Sequence, residues 1–153
     1  MKRTALRRVS KRALTDRLLD DLLRAILMTD IGAFAFEKPG GGFSWQGECQ
    51  WCHKMRPLFV SHIHAKGANR HLRWTRLNVK ALCNACHIFR WHRDPVASVR
   101  FARGLLGSER YDELEAMSHA KPLGRIDLDA VRDALEAELR SRGMDPSAYI
   151  GGR

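Results

Sequence analysis

Apolar residues recur at helical spacing from Thr15 to Met28, where Leu18, Leu19, Leu22, Leu23, Ile26 and Leu27 form one stripe, and Thr15 is placed to cap its start. The pattern then lapses. Residues 30–48 contain Pro39 followed by Gly40, Gly41 and Gly42, which predicts a linker or loop. At Leu58-Phe59-Val60-Ser61-His62-Ile63-His64 an alternating pattern predicts a strand, with His62 and His64 on one face. After a polar loop, residues 65–73, a second short strand over residues 77–83 runs into a turn, with His87 in the first turn of a helix. Asp94 caps a helix with Pro95 in its first turn, running to Leu106; Gly107 ends it and Ser108 caps another to His119. A last stripe, Ile126, Leu128, Val131, Leu135 and Leu139, predicts a helix over 127–142 that stops at Gly143, and residues 144–153 read as loosely ordered. The pattern therefore predicts an α+β fold, a small strand-containing centre flanked by N- and C-terminal helices. It divides into a basic flexible arm (1–12), an N-terminal helix and Gly-rich loop (13–48), the centre (49–93) and a C-terminal helical region (94–153).

Composition adds a partner. The 153 residues carry 27 Lys+Arg against 17 Asp+Glu, a formal net charge of +10, and the pI is near 10.1. Charge of that sign favours a polyanion, because each phosphate met by Lys or Arg releases a condensed counterion. No stretch reaches the roughly 20 apolar residues that span a bilayer, and the basic N-terminus lacks the apolar core of a secretory signal, so a cytoplasmic protein without a membrane partner is expected.

All four cysteines fall in two pairs, Cys49-Gln50-Trp51-Cys52 and Cys83-Asn84-Ala85-Cys86. A two-residue gap lets both thiolates of a pair face one cation from a tight turn, and two such turns complete a tetrahedral sulfur site. A structural Zn²⁺ is expected there. With four thiolates the shell is closed to substrate, so this metal would hold the fold rather than react. A thiol redox protein is the alternative, and it predicts no bound metal.

The string Ser61-His62-Ile63, then Asn78, then Leu82-Cys83-x-x-Cys86-His87 resembles the motif of HNH (ββα-metal, or His-Me finger) nucleases. With its zinc knuckles, basic loop and trailing helices it is similar to phage recombination endonucleases of the NinG/Rap type. The resemblance covers about residues 49–93 and, less specifically, Phe101 to Tyr111. It implies a ββα-metal core in which two strands and a helix hold a divalent cation against the scissile phosphate. It further implies DNA endonuclease activity, on branched or recombination intermediates, in a phage or prophage setting within a bacterial host. By the same resemblance His62 is the general base, Asn78 holds His62 or the adjoining loop in register, and His87 is a ligand of the catalytic cation. That family usually has Asp or His before the base; here the position is Ser61, and His64 is an alternative ligand. Imidazole and oxygen donors leave the cation open, Mg²⁺ or Mn²⁺ being favoured over Zn²⁺ or Ni²⁺.

Around this motif lie Lys54, Arg56, Lys66, Arg70, Arg73, Arg76, Lys80, Arg90 and Arg93, expected in part to contact DNA phosphates without reading sequence. Trp51, Trp74 and Trp91 either stack on exposed bases or pack the small core around the zinc. A non-catalytic zinc-knuckle nucleic-acid-binding protein with a degenerate HNH site is the competing function. The helices at 15–28 and 127–142 leave a homodimer open.

Overall fold

The computed structural model describes residues 11–39, 43–120 and 124–150. The first apolar stripe lies in α1 (Lys11–Asp30), which begins a turn before Thr15 because Lys11-Arg12-Ala13-Leu14 are all good helix formers. Lys11 and Arg12 thus belong to a helix; the rest of the expected basic arm, residues 1–10, lies outside the described residues.

The expected loop at 30–48 is instead mostly sheet. β1 (Phe34–Glu37) pairs antiparallel with β2 (Phe43–Glu48), in register Phe34↔Gln46 through Glu37↔Phe43. Both strands are short, and the Pro-Gly run between them masks their aromatic-rich alternation; Gly40, Gly41 and Gly42 themselves lie outside the described residues. β2 pairs with β3 (Met55–His62), and β3 with β4 (Val79–Cys83), giving one antiparallel sheet in the order β1-β2-β3-β4. Gly47 is required in β2. A Cβ there would stand 2.8 Å from the Ala33 Cβ and 3.0 Å from Leu58 Cδ1.

After β4 a single α-helical turn, α2 (Asn84–Cys86), widens into a π-helical turn, His87–Trp91. α3 (Pro95–Leu106) is capped by Asp94, whose side chain accepts from the Ala97 amide, and it ends at Gly107 with φ 81°. α4 (Ser108–His119) and α5 (Leu128–Ser141) follow, the latter capped by Asp127. The C-terminal residues are ordered further than their sequence suggests: Pro146–Tyr149 form a 3₁₀ turn, and Tyr149 stacks on Trp45 at 6.0 Å.

One core joins these pieces. Leu19, Leu22, Leu23, Ile26 and Met28 of α1 meet Leu58, Val79, Ala81 and Leu82 of the sheet and Leu135 and Leu139 of α5. The apolar stripes of α1 and α5 thus pack on each other and, for α1, on the sheet. Among the described residues no helix is long and apolar enough to cross a membrane.

Candidate functional site

The first cysteine pair sits in the turn between β2 and β3. There the Cys49 amide donates to the Lys54 carbonyl and the His53 amide to the Cys49 carbonyl, with His53 at φ 56° closing the knuckle. Gln50 takes both backbone groups of Ala81, its amide donating at 3.2 Å and its side-chain oxygen accepting at 2.7 Å, and so ties this turn to the free edge of β4. The second pair closes β4 and opens α2. All four sulfurs lie within 4.8 Å of one another, and Cys52 Sγ is 3.9 Å from Cys83 Sγ. Tetrahedral zinc thiolates at about 2.3 Å place sulfurs about 3.8 Å apart, so the set fits a structural zinc. The Cys83 amide donates to Cys49 Sγ at 3.3 Å. Burial alone would raise the Cys52 thiol, but bonds from the Lys54 backbone and the neighbouring thiols bring it down to about 7. Burial pushes Cys83 and Cys86 upward. A bound cation is what would let four such crowded sulfurs ionise together.

β3 and the π-helical turn frame a separate cavity of about 670 Å³, bordered by Ser61, His62, Lys66, His87, Trp91 and His92, with Asp20 of α1 also on its wall. His62 ends β3, and its Nε2 lies 2.9 Å from the Arg73 carbonyl oxygen. A carbonyl only accepts, so Nε2 carries the proton and the lone pair is on Nδ1. Burial pushes His62 below the ordinary 6.5. Burial also lowers His87, with His92 and Lys80 adding to the effect. His87 Nε2 and His92 Nε2 are 3.0 Å apart. A five-residue separation brings two side chains together here because the backbone between them is π-helical. Sequence reasoning passed over His92 for that reason, since an α-helical turn pairs residues three or four apart.

Asn78 is fully buried and holds the loop between β3 and β4. Its Oδ1 accepts from the His64 amide at 2.7 Å, and its Nδ2 donates to the carbonyls of His64 and Leu72 at 3.1 and 3.0 Å. Asn78→Ala would remove three hydrogen bonds to the loop backbone and leave a small cavity, with only the Leu72 carbonyl keeping another bond, from the Thr75 amide. It is expected to lower unfolding stability by about 2–4 kcal/mol, read from chemical denaturation.

Ser61 is 1 % exposed and its Oγ has no hydrogen-bonding partner among the described residues. His64 does not share the cavity. β3 stops at His62, the chain bends, and His64 Nε2 comes within 2.9 Å of Glu115 Oε1 on α4, out of line for a hydrogen bond. As an alternative ligand beside His62 it is therefore misplaced.

The basic residues divide. Arg70 and Arg73 pair with Asp16 of α1, and Arg73 also with Asp20, at 2.6–2.9 Å. Arg76 pairs with Asp30 and Glu138. Lys80 is fully buried beneath the cavity: Nζ donates to the His62 carbonyl at 3.2 Å and lies 3.1 Å from the centre of the Trp91 ring. Burial brings its pKa down to about 6. These four, read from the sequence as candidate phosphate contacts, are engaged within the fold. Lys54, Arg56, Lys66, Arg90 and Arg93 are exposed and make no ion pair among the described residues. The tryptophans are packed: Trp51 stacks on Phe101 at 4.3 Å and meets Trp91 edge-on, while Trp74 donates Nε1–H to Asp20.

No family model, curated protein or solved structure matches this chain.

Proposed function

We propose that the protein is a metal-dependent DNA endonuclease, an HNH-type phosphodiester hydrolase whose ββα-metal core is β3, β4 and the helical turns Asn84–Trp91. One observation carries this reading: a single cavity is bordered by His62, held in one tautomer, and by the close His87–His92 nitrogen pair. The Arg73 carbonyl fixes the His62 ring, so its Nδ1 can take a proton from a water attacking phosphorus as the bond to the leaving oxygen breaks. Two imidazole nitrogens on one cation at about 2.1 Å lie about 3.0–3.4 Å apart, which the His87–His92 pair satisfies, and Ser61 is a further oxygen donor on the same wall. A divalent cation held there would polarise the phosphate and stabilise charge on the leaving oxygen; the sequence motif favours Mg²⁺ or Mn²⁺, while the second imidazole suits Zn²⁺ or Ni²⁺. Lys66 at the cavity mouth adds a cation for the substrate phosphate. Asn78 acts at one remove, pinning the loop that carries the Arg73 carbonyl. The resemblance extends the proposal to branched or recombination intermediates in the cytoplasm of a phage-bearing bacterial host.

Nicking of supercoiled plasmid by zinc-loaded protein, with Mg²⁺, Mn²⁺, Zn²⁺, Ni²⁺ or no added metal, tests the reading. Ser61 favours the rival, a zinc-knuckle nucleic-acid-binding protein with a degenerate site, because a serine hydroxyl is a weak ligand where a carboxylate or imidazole is usual. Tight DNA binding without metal-dependent nicking would establish that rival instead.

A further inference from the structure

We infer that the groove beside the histidine cavity is a binding site for unpaired nucleotides of single-stranded nucleic acid. The inference shares with the proposed function the premise that nucleic acid is the partner, but it does not require that the strand be cut.

The groove has a volume of about 1040 Å³ and is walled by Trp51, Lys54, Arg56, Phe59, Phe89 and Arg90, with the second cysteine turn at its floor; no Asp or Glu lines it. That lies at the upper end of the roughly 300–1,000 Å³ of small-molecule sites. Two features of its wall are unspent by the fold. Phe59 and Phe89 are 47 % and 57 % exposed, whereas the three tryptophans nearby are packed against the core or against acidic partners. Lys54, Arg56 and Arg90 make no ion pair among the described residues, whereas Arg70, Arg73 and Arg76 are held by carboxylates. Arg93 adds its guanidinium 5.1 Å from the centre of the Phe89 ring.

Cations facing no carboxylate suit a phosphate backbone, and open aromatic rings beside them suit the faces of bases. In a duplex those faces are already stacked on neighbouring base pairs, so a ring can lie against a base only where it is unpaired. This selects a single strand over a double one. Position adds continuity. Phe59 lines both the groove and the cavity that holds His62, His87 and His92. A strand lying along the groove therefore runs on to the candidate cleavage centre.

The test uses full-length, zinc-loaded protein carrying His62→Ala, with no other metal added. Binding of a fluorescein-labelled oligodeoxythymidylate and of a duplex of equal length is followed by anisotropy. Phe59→Ala and Phe89→Ala are each expected to weaken single-strand binding roughly tenfold or more, and duplex binding by no more than about twofold. Phe89→Trp should restore the single-strand affinity. An oligonucleotide containing 2-aminopurine should be quenched on binding the parent and not on binding Phe89→Ala. Both rings are exposed, so matching melting temperatures would show the variants folded. Single-strand affinity unchanged in both alanine variants would overturn the inference and leave the groove to another partner, and equal loss for single strand and duplex would overturn it in favour of a groove that binds nucleic acid without selecting unpaired bases. Failure of the parent enzyme to nick plasmid would remove the nuclease reading and leave this result standing.

Discussion

His62→Ala is expected to lower metal-dependent nicking by roughly 10²–10⁴-fold, the range general-base catalysis contributes, with the melting transition little changed. The side chain is half-buried at the end of a strand, and its bond to the Arg73 carbonyl spans the β3–β4 loop, but Asn78 independently fixes that loop with three bonds. The loss should therefore fall on the rate rather than on the fold. pH gives a second reading of the same residue. Burial disfavours the imidazolium and pushes His62 below 6.5, so the basic form persists to lower pH than for a free histidine. Activity should hold as pH falls through 6.5 and decline only below it. The acid limb of a kcat/KM profile measures this, and a limb at or above 6.5 would assign the proton transfer elsewhere. Nicking that survives His62→Ala unchanged would also remove the residue from the chemistry.

The second large effect is on stability. Stripping the four-cysteine site with a strong chelator, or replacing Cys86 with serine, is expected to abolish cooperative unfolding at ordinary temperature. Structural zinc supplies an apparent 10–16 kcal/mol in small metal-dependent domains, about the whole stability of a typical domain. The reason is local to this fold. The sulfurs join the β2–β3 turn to the end of β4, where Gln50 and the Cys49–Cys83 contact form the remaining link. Circular dichroism melts before chelation, after it, and after zinc is returned would measure the effect, with metal analysis giving the stoichiometry. A chelated protein melting as before would sink a structural role for the metal, and cysteines that cycle with dithiothreitol would favour redox chemistry.

What the residues disclosed in advance follows from how local each feature is. The cysteine pairs were legible because ligand spacing within a turn is a property of four consecutive residues. So was α3, with Asp94, Pro95 and Gly107 marking both ends. β1 and β2 were not, since strands of four and six residues on either side of a Pro-Gly run read as one irregular stretch. His92 depended on a π-helical turn that no local pattern announced. The fate of Arg70, Arg73 and Arg76 was unreadable for a different reason. Their carboxylate partners lie 46 to 62 positions away in the chain, on α1 and α5, and only the packed structure brings them together.

Those distant pairings shape how the molecule meets another in solution. Asp16, Asp20, Asp30 and Glu138 pair with guanidinium groups along α1 and α5, while the cations of the groove make no ion pair among the described residues. Among the described residues the positive charge of the groove is thus left without a carboxylate to offset it, unlike that of the guanidinium groups held by α1 and α5. On the proposed reading, a polyanion near the surface would be drawn toward the groove's unpaired cations before any contact forms.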